Sequence, residues 1–229
     1  MLITILSTLL LLPILTSAQQ KSRTINPTLN ANLKSAATNF DRNALLPQDS
    51  DWYYDFDTHA NWPSATGAVI TADAATMPSL TGLGISIAIL KLAPCGMLPP
   101  HLHPRATNLV TAITGNTTSW MIGENGVRTV KVDLTPWRMT IFPQGSLHVM
   151  QNNDCEEAML VSALSSDDSG TLNILPSLWT VPQDIIQAGF GNAGINTQDL
   201  GKTIPPVGTG AIIGSEACKK RCGISHGKE

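Results

Sequence analysis

Charge is scarce in this sequence. Asp, Glu, Lys and Arg make up 14% of its 229 residues, against roughly 25% in ordinary soluble domains. That shortage argues against a disordered chain or a coiled coil, both of which need many charged positions. What charge there is sums to −3, so a basic nucleic-acid-binding surface is excluded. Long apolar runs are also few. The one at Leu2–Leu15 is shorter than the roughly 20 residues that a membrane span requires. No glycine-rich phosphate loop and no Gly-x-Ser-x-Gly elbow occurs, which argues against covalent hydrolase chemistry.

What is present begins with that apolar run. Residues 1–18 carry no charged side chain and end in Thr16-Ser17-Ala18, followed by Gln19-Gln20. Small residues after a short apolar stretch predict a cleaved secretory signal. The expected address is therefore secreted, extracellular or cell wall, with no membrane attachment after cleavage. Four cysteines fit that setting: Cys95, Cys155, Cys218 and Cys222. An even count in an exported chain predicts disulfides, and their spacing is poor for zinc. Of the three pairings that four cysteines allow, Cys95–Cys155 ties together the segments flanking the histidines described below. Cys218–Cys222 then closes a short loop, a demanding bond if that segment is helical. The sequon Asn116-Thr117-Thr118 marks Asn116 as a glycosylation site on an exposed turn after Gly115.

The chain divides by texture. Residues 19–50 are polar and weakly helical, an arm that must pack on something else. From residue 51 to 191, short β-like runs alternate with Gly, Pro, Asn and Ser. Strands are expected near residues 68–72, 84–93, 109–114, 118–122, 127–132, 139–142, 147–152 and 158–165. Eight short strands at such spacing predict an all-β sandwich or closed barrel. The link Gly123-Glu124-Asn125-Gly126 reads as a hairpin turn. A helix opening with proline is expected at Pro182–Ala188, and in the tail, residues 192–229, another short one around 215–222. Trp52, Tyr53, Tyr54 and Phe56 read as an arm strand covering the barrel. Lys219, Lys220 and Arg221 read as a solvated face.

Three of the five histidines fall in two tight contexts. In Pro99-Pro100-His101-Leu102-His103-Pro104-Arg105, the two imidazoles alternate with Leu102, so an extended chain points both to one face. In Phe142-Pro143-Gln144-Gly145-Ser146-Leu147-His148, the third histidine follows a turn and begins a strand. Imidazole nitrogens suit Mn, Fe, Ni, Cu or Zn, and an added carboxylate shifts the balance toward Mn or Fe.

The order Gly-x4-His-x-His-Pro-Arg-Ala-Thr-x7-Gly, then Phe-Pro-x-Gly-x-x-His-x3-Asn, resembles the two motifs of the cupin superfamily. Within it the sequence is similar to germin-like and spherulin-like secreted cupins, over about residues 51–191, and the arm and the Cys-Lys-Lys-Arg-Cys tail are similar to the spherulin-like branch. The resemblance implies a single jelly-roll β-barrel with a metal site at His101, His103 and His148. Manganese is the implied ion, and three histidines alone also suit zinc or copper. It further implies metal-centred oxidase or superoxide dismutase chemistry, if the protein is an enzyme. Asn108 stands where full-site members carry glutamate. Its carbonyl can serve as a fourth ligand but carries no charge, which puts oxalate oxidation in doubt. The alternative is a non-enzymatic extracellular or cell-wall protein that uses the barrel for structure or to hold a small ligand. Germins imply homo-oligomers, although the cysteine pair typical of plant germins is missing before Cys95.

Overall fold

Residues 24–57, 65–208 and 210–224 are described by the computed structural model of the protein. The expected signal segment lies outside them. Among the described residues, no helix is long and apolar enough to cross a membrane.

Among the described residues, eleven strands build two antiparallel sheets. The first has the order β1 (Gly67–Ala72), β2 (Ser86–Leu92), β9 (Ala158–Leu164), β4 (Asn108–Thr114), β7 (Met139–Phe142). The second runs β10 (Leu172–Asn173), β3 (Gly96–Leu102), β8 (Leu147–Asn152), β5 (Thr117–Ile122), β6 (Val130–Leu134), and β11 (Ile212–Ile213) also pairs with β3. The expected all-β jelly roll is present, as two separate ladders rather than one closed ring. Period-2 alternation makes it so: every second residue of β2 and β9 is buried, and such strands must turn one face to a common core. Leu90, Val110, Phe142 and Leu160 from the first sheet meet Leu98, Leu134 and Met150 from the second.

Two strand expectations need correction. The run at 127–132 starts pairing only at Val130, so Gly123–Gly126 belongs to a longer loop rather than a tight hairpin. The second is β3, which follows β2 directly and contains Pro99 and Pro100. Proline donates no ladder hydrogen bond, and the register with β8 shifts between Leu98 and His101. Pairing resumes with His101 directly opposite His148.

The arm folds as α1 (Pro27–Ser35) and α2 (Asn39–Ala44), each started by a side-chain cap, Asn26 to Leu29 N–H and Thr38 to Asp41 N–H. Buried Asn30 anchors α1 by donating to the Ala74 carbonyl and the Thr81 hydroxyl. Trp52 to Phe56 form no strand; a 3₁₀ turn spans Asp49–Trp52, and Tyr54 Oη donates to the Thr71 carbonyl. After β10 come the helices α3 (Ile174–Leu178), α4 (Gln183–Gly189), α5 (Thr197–Lys202) and α6 (Glu216–Arg221).

The disulfides are Cys95–Cys218 and Cys155–Cys222, with Cα separations of 5.8 and 5.2 Å. All four cysteines are bonded as expected, but the partners are exchanged. Cys218 and Cys222 sit one turn apart on the same face of α6 and its cap, so each reaches out to a different loop rather than to the other. The basic cluster on α6 is likewise not wholly solvated. Lys219 is buried with Nζ 2.9 Å from Glu216 Oε1, and Arg221 donates to the Asn153 carbonyl.

Candidate metal centre

The register of β3 against β8 creates the site. His101 and His148 face each other across the ladder with ring centroids 4.2 Å apart. His103, two residues further along the same face, adds a third ring 5.3 Å from each. One ring nitrogen from each histidine lies within 4.8 Å of the other two.

The free nitrogen is identified by what holds the other one. Nδ1 of His101 donates to the Pro99 carbonyl at 2.7 Å, Nδ1 of His103 to the Gly170 carbonyl at 2.7 Å, and Nδ1 of His148 to the Ser146 carbonyl at 3.0 Å. A neutral imidazole with Nδ1–H committed presents its lone pair at Nε2. All three rings are therefore left with a free acceptor, their Nδ1–H groups held by carbonyls as outer groups hold metal-bound histidines. Nε2 of His148 is buried and has no hydrogen-bond partner, a costly arrangement unless something fills it.

Electrostatics keep those lone pairs free. Burial pushes the His101 pKa down to about 4, with His103 adding to the effect against the Pro99 carbonyl. Burial and the neighbouring His101 push His148 down to about 3, and burial lowers His103 as well. At neutral pH the rings are uncharged and available to a cation.

The positioning groups come from local backbone. Pro99 and Ser146 each stand two residues before the histidine they orient. The Pro143–Gly145 turn is closed by Ser146 N–H to the Pro143 carbonyl, with Gly145 at φ 76°. The Gly145 N–H also donates to the His103 carbonyl at 3.1 Å, joining the two histidine segments. Gly170 lies in a loop held by Arg105, whose side chain donates to the Asp168 carbonyl and pairs with its carboxylate at 2.9 Å. Phe142 stacks on His148 at 4.2 Å with the planes 10° apart.

Asn108 is 4% exposed and starts β4 on the opposite sheet. Its Oδ1 accepts from Ser162 Oγ at 2.6 Å. It lines, with the three histidines, a cavity of about 450 Å³ between the sheets. Among the described residues, no Asp, Glu, Lys or Arg lines that cavity. The sequence pattern did not point to Ser162, to Gly170, or to Val207, Gly208 and Gly210, which line the cavity. Ser162 was readable as a buried hydroxyl in an alternating strand, whereas Gly170 carried no signal.

Asn116 occupies the turn after Gly115 but is half-buried, not exposed. Its N–H donates to Asp154, its Oδ1 is enclosed without a partner, and the sequon's Thr118 is buried against Asp133 and Asn153.

Comparison with known proteins agrees with this geometry. The cupin sequence profile matches residues 56–198. Spherulin-1A of Physarum polycephalum is 31% identical over 207 residues, covering 89% of this chain and 82% of that protein. Germin-like protein subfamily 2 member 3 of Arabidopsis thaliana is 30% identical over 148 residues, covering 62% and 67%. A structure of oxalate oxidase in complex with the substrate analogue glycolate superposes with a TM-score of 0.58 at 22% identity, covering 76% of this chain and 82% of the other. That likeness speaks for the fold. With the profile spanning both histidine segments and most of both sheets, the chain belongs to the cupin family.

Proposed function

We propose that the protein is an exported cupin that binds a divalent transition metal through Nε2 of His101, His103 and His148. One observation carries the reading: three neutral imidazoles, each tied at Nδ1 to a carbonyl, are grouped so that one ring nitrogen of each lies within 4.8 Å of the other two. Ordinary buried histidines find a partner for the second nitrogen, and His148 has none. Germin-like relatives make manganese the expected ion. The all-nitrogen, uncharged donor set is also suited to zinc or copper. Asn108 is the candidate fourth ligand, through a carbonyl oxygen now shared with Ser162. A bound redox-active ion would supply one-electron chemistry at the coordination positions facing the cavity. The protein's own groups hold the rings in one tautomer, exclude bulk water with Phe142 and the facing sheet, and offer Ser162 and Asn108 as hydrogen-bonding groups.

A second reading has its own support. Among the described residues, the cavity walls hold no acid or base besides the histidines, which suits a binding protein that performs no proton transfer. Two disulfides support export, since such bonds persist in oxidising compartments. Self-association is part of the same proposal. Ile87, Ala163, Leu109 and Ile141 line up across four strands of the first sheet, and the three large ones are exposed. An elution volume matching one chain would remove that part.

The test of the metal reading is metal content of protein purified without a histidine tag, with melting temperature before and after adding Mn²⁺, Zn²⁺ or Cu²⁺. Binding to the native state must raise the melting temperature. Metal-free protein with an unchanged melting temperature would refute the proposal.

A further inference from the structure

We infer that the cavity beside the three histidines takes a monocarboxylate with an apolar body, in preference to a small dianion. The inference rests on the proposed metal for the ligand's head and on the cavity itself for its body. The volume, about 450 Å³, is roughly three times that of the ~150 Å³ cavity that accommodates a benzene. One part of its wall is aliphatic: Leu90, Leu98, Val110, Met150 and Leu164 line it, all buried members of the core strands, while neutral polar side chains such as Thr71, Ser169 and Asn173 line the rest. A two- to four-carbon diacid would leave most of that space unfilled. Its second carboxylate would be desolvated with no Lys or Arg among the described lining residues to pair with it.

The head is selected by the same wall chemistry. Three neutral imidazoles leave a bound dication with its full charge, so one anionic oxygen from a ligand is favourable there. Asn108 supplies the second contact. Its Oδ1 accepts from the Ser162 hydroxyl and keeps a second lone pair, while Nδ2 remains as a donor on a side chain that lines the cavity. A donor at that point suits the second oxygen of a bound carboxylate and does nothing for a hydrocarbon alone. A glutamate at this position would present negative charge to the same carboxylate and repel it.

Titration calorimetry with 3-phenylpropionate, 3-phenylpropanol and succinate, on zinc-loaded and on metal-stripped protein, tests this. On loaded protein the phenylpropionate should bind at least about tenfold more tightly than either of the others. On stripped protein the two phenyl compounds should bind weakly and about equally, and succinate not at all. Asn108→Leu should weaken phenylpropionate about tenfold on loaded protein while leaving the alcohol within about twofold. Succinate equal to or tighter than phenylpropionate overturns the inference, and so does failure of both phenyl compounds on both forms. If the protein retains no zinc, the metal reading fails. Equal binding of acid and alcohol on zinc-loaded protein overturns the head assignment, while binding of both by protein that holds no zinc still supports the apolar body.

Discussion

Replacing Asn108 with glutamate sets two electrostatic effects against each other, and the difference is measurable. Asn108 is 4% exposed and faces a cavity with no charged side chain among the described residues. In metal-free protein an unpaired buried carboxylate costs about 3–5 kcal/mol. The Ser162 hydroxyl, already 2.6 Å from the amide oxygen, returns about 1.5–3 kcal/mol as a hydrogen bond to a charged group. The metal-free variant should therefore be less stable by up to about 3.5 kcal/mol. With a dication bound, a carboxylate ~4 Å away at an effective dielectric of ~20 gains about 8 kcal/mol. A third of that raises affinity about a hundredfold. The expected result is a crossing: Asn108→Glu unfolds at lower denaturant than the parent when stripped and at higher denaturant when loaded with Mn²⁺. Urea unfolding of both forms with and without the ion, together with metal content after dialysis against a chelator, reads both arms. A metal-induced shift equal to or smaller than the parent's would show that position 108 does not face the ion.

Acid should destabilise the metal-free protein through the same histidines. Their folded pKa values lie below the ordinary 6.5, about 4 for His101 and about 3 for His148, so the unfolded chain binds more protons in between. Stability is then full above about pH 6.5 and is lost as pH falls toward 3. The urea midpoint should drop over that range and drop less in His101→Gln/His148→Gln; equal slopes would refute the cause. Arg105→Ala breaks an exposed pair, 52% and 69% accessible, and should cost under about 1 kcal/mol of stability. It should nonetheless speed metal loss to a chelator about tenfold, because the Gly170 carbonyl that orients His103 loses its support; an unchanged rate would show that the loop holds without it. Non-reducing peptide mapping should recover Cys95 joined to Cys218 and Cys155 joined to Cys222. Recovery of a Cys95–Cys155 peptide would contradict the structure.

The histidine cluster was legible because its information is local. His101-Leu102-His103 needs only an extended backbone to put two rings on one side, and His148 needs only its strand to pair alongside. The strands of the first sheet were legible for a similar reason, as alternating burial writes itself into the residue order. The disulfide partners were not, because Cys218 and Cys222 depend on where α6 docks, and nothing within residues 215–222 encodes the loops at Cys95 and Cys155. β3 was hidden by its own prolines. By propensity Pro99-Pro100 argues against a strand, yet the broken ladder frees the Pro99 carbonyl to fix the His101 ring. Gly170 acts from 67 positions beyond His103, a distance that no short motif covers.

The strand β3 is completed from far away. One side pairs with β8, and the other is divided between β10, opposite His101 and Leu102, and β11, opposite Gly96 and Met97. The α6 helix that follows β11 is bonded through Cys218 to Cys95, 123 positions earlier and immediately before β3. A nascent chain that has emerged only as far as β9 already contains all three histidines, but their strand still has an open edge. The centre thus depends on the tail: β3 is paired along both sides only with β10 and β11 in place, and in a reducing compartment it would lack the Cys95–Cys218 clasp.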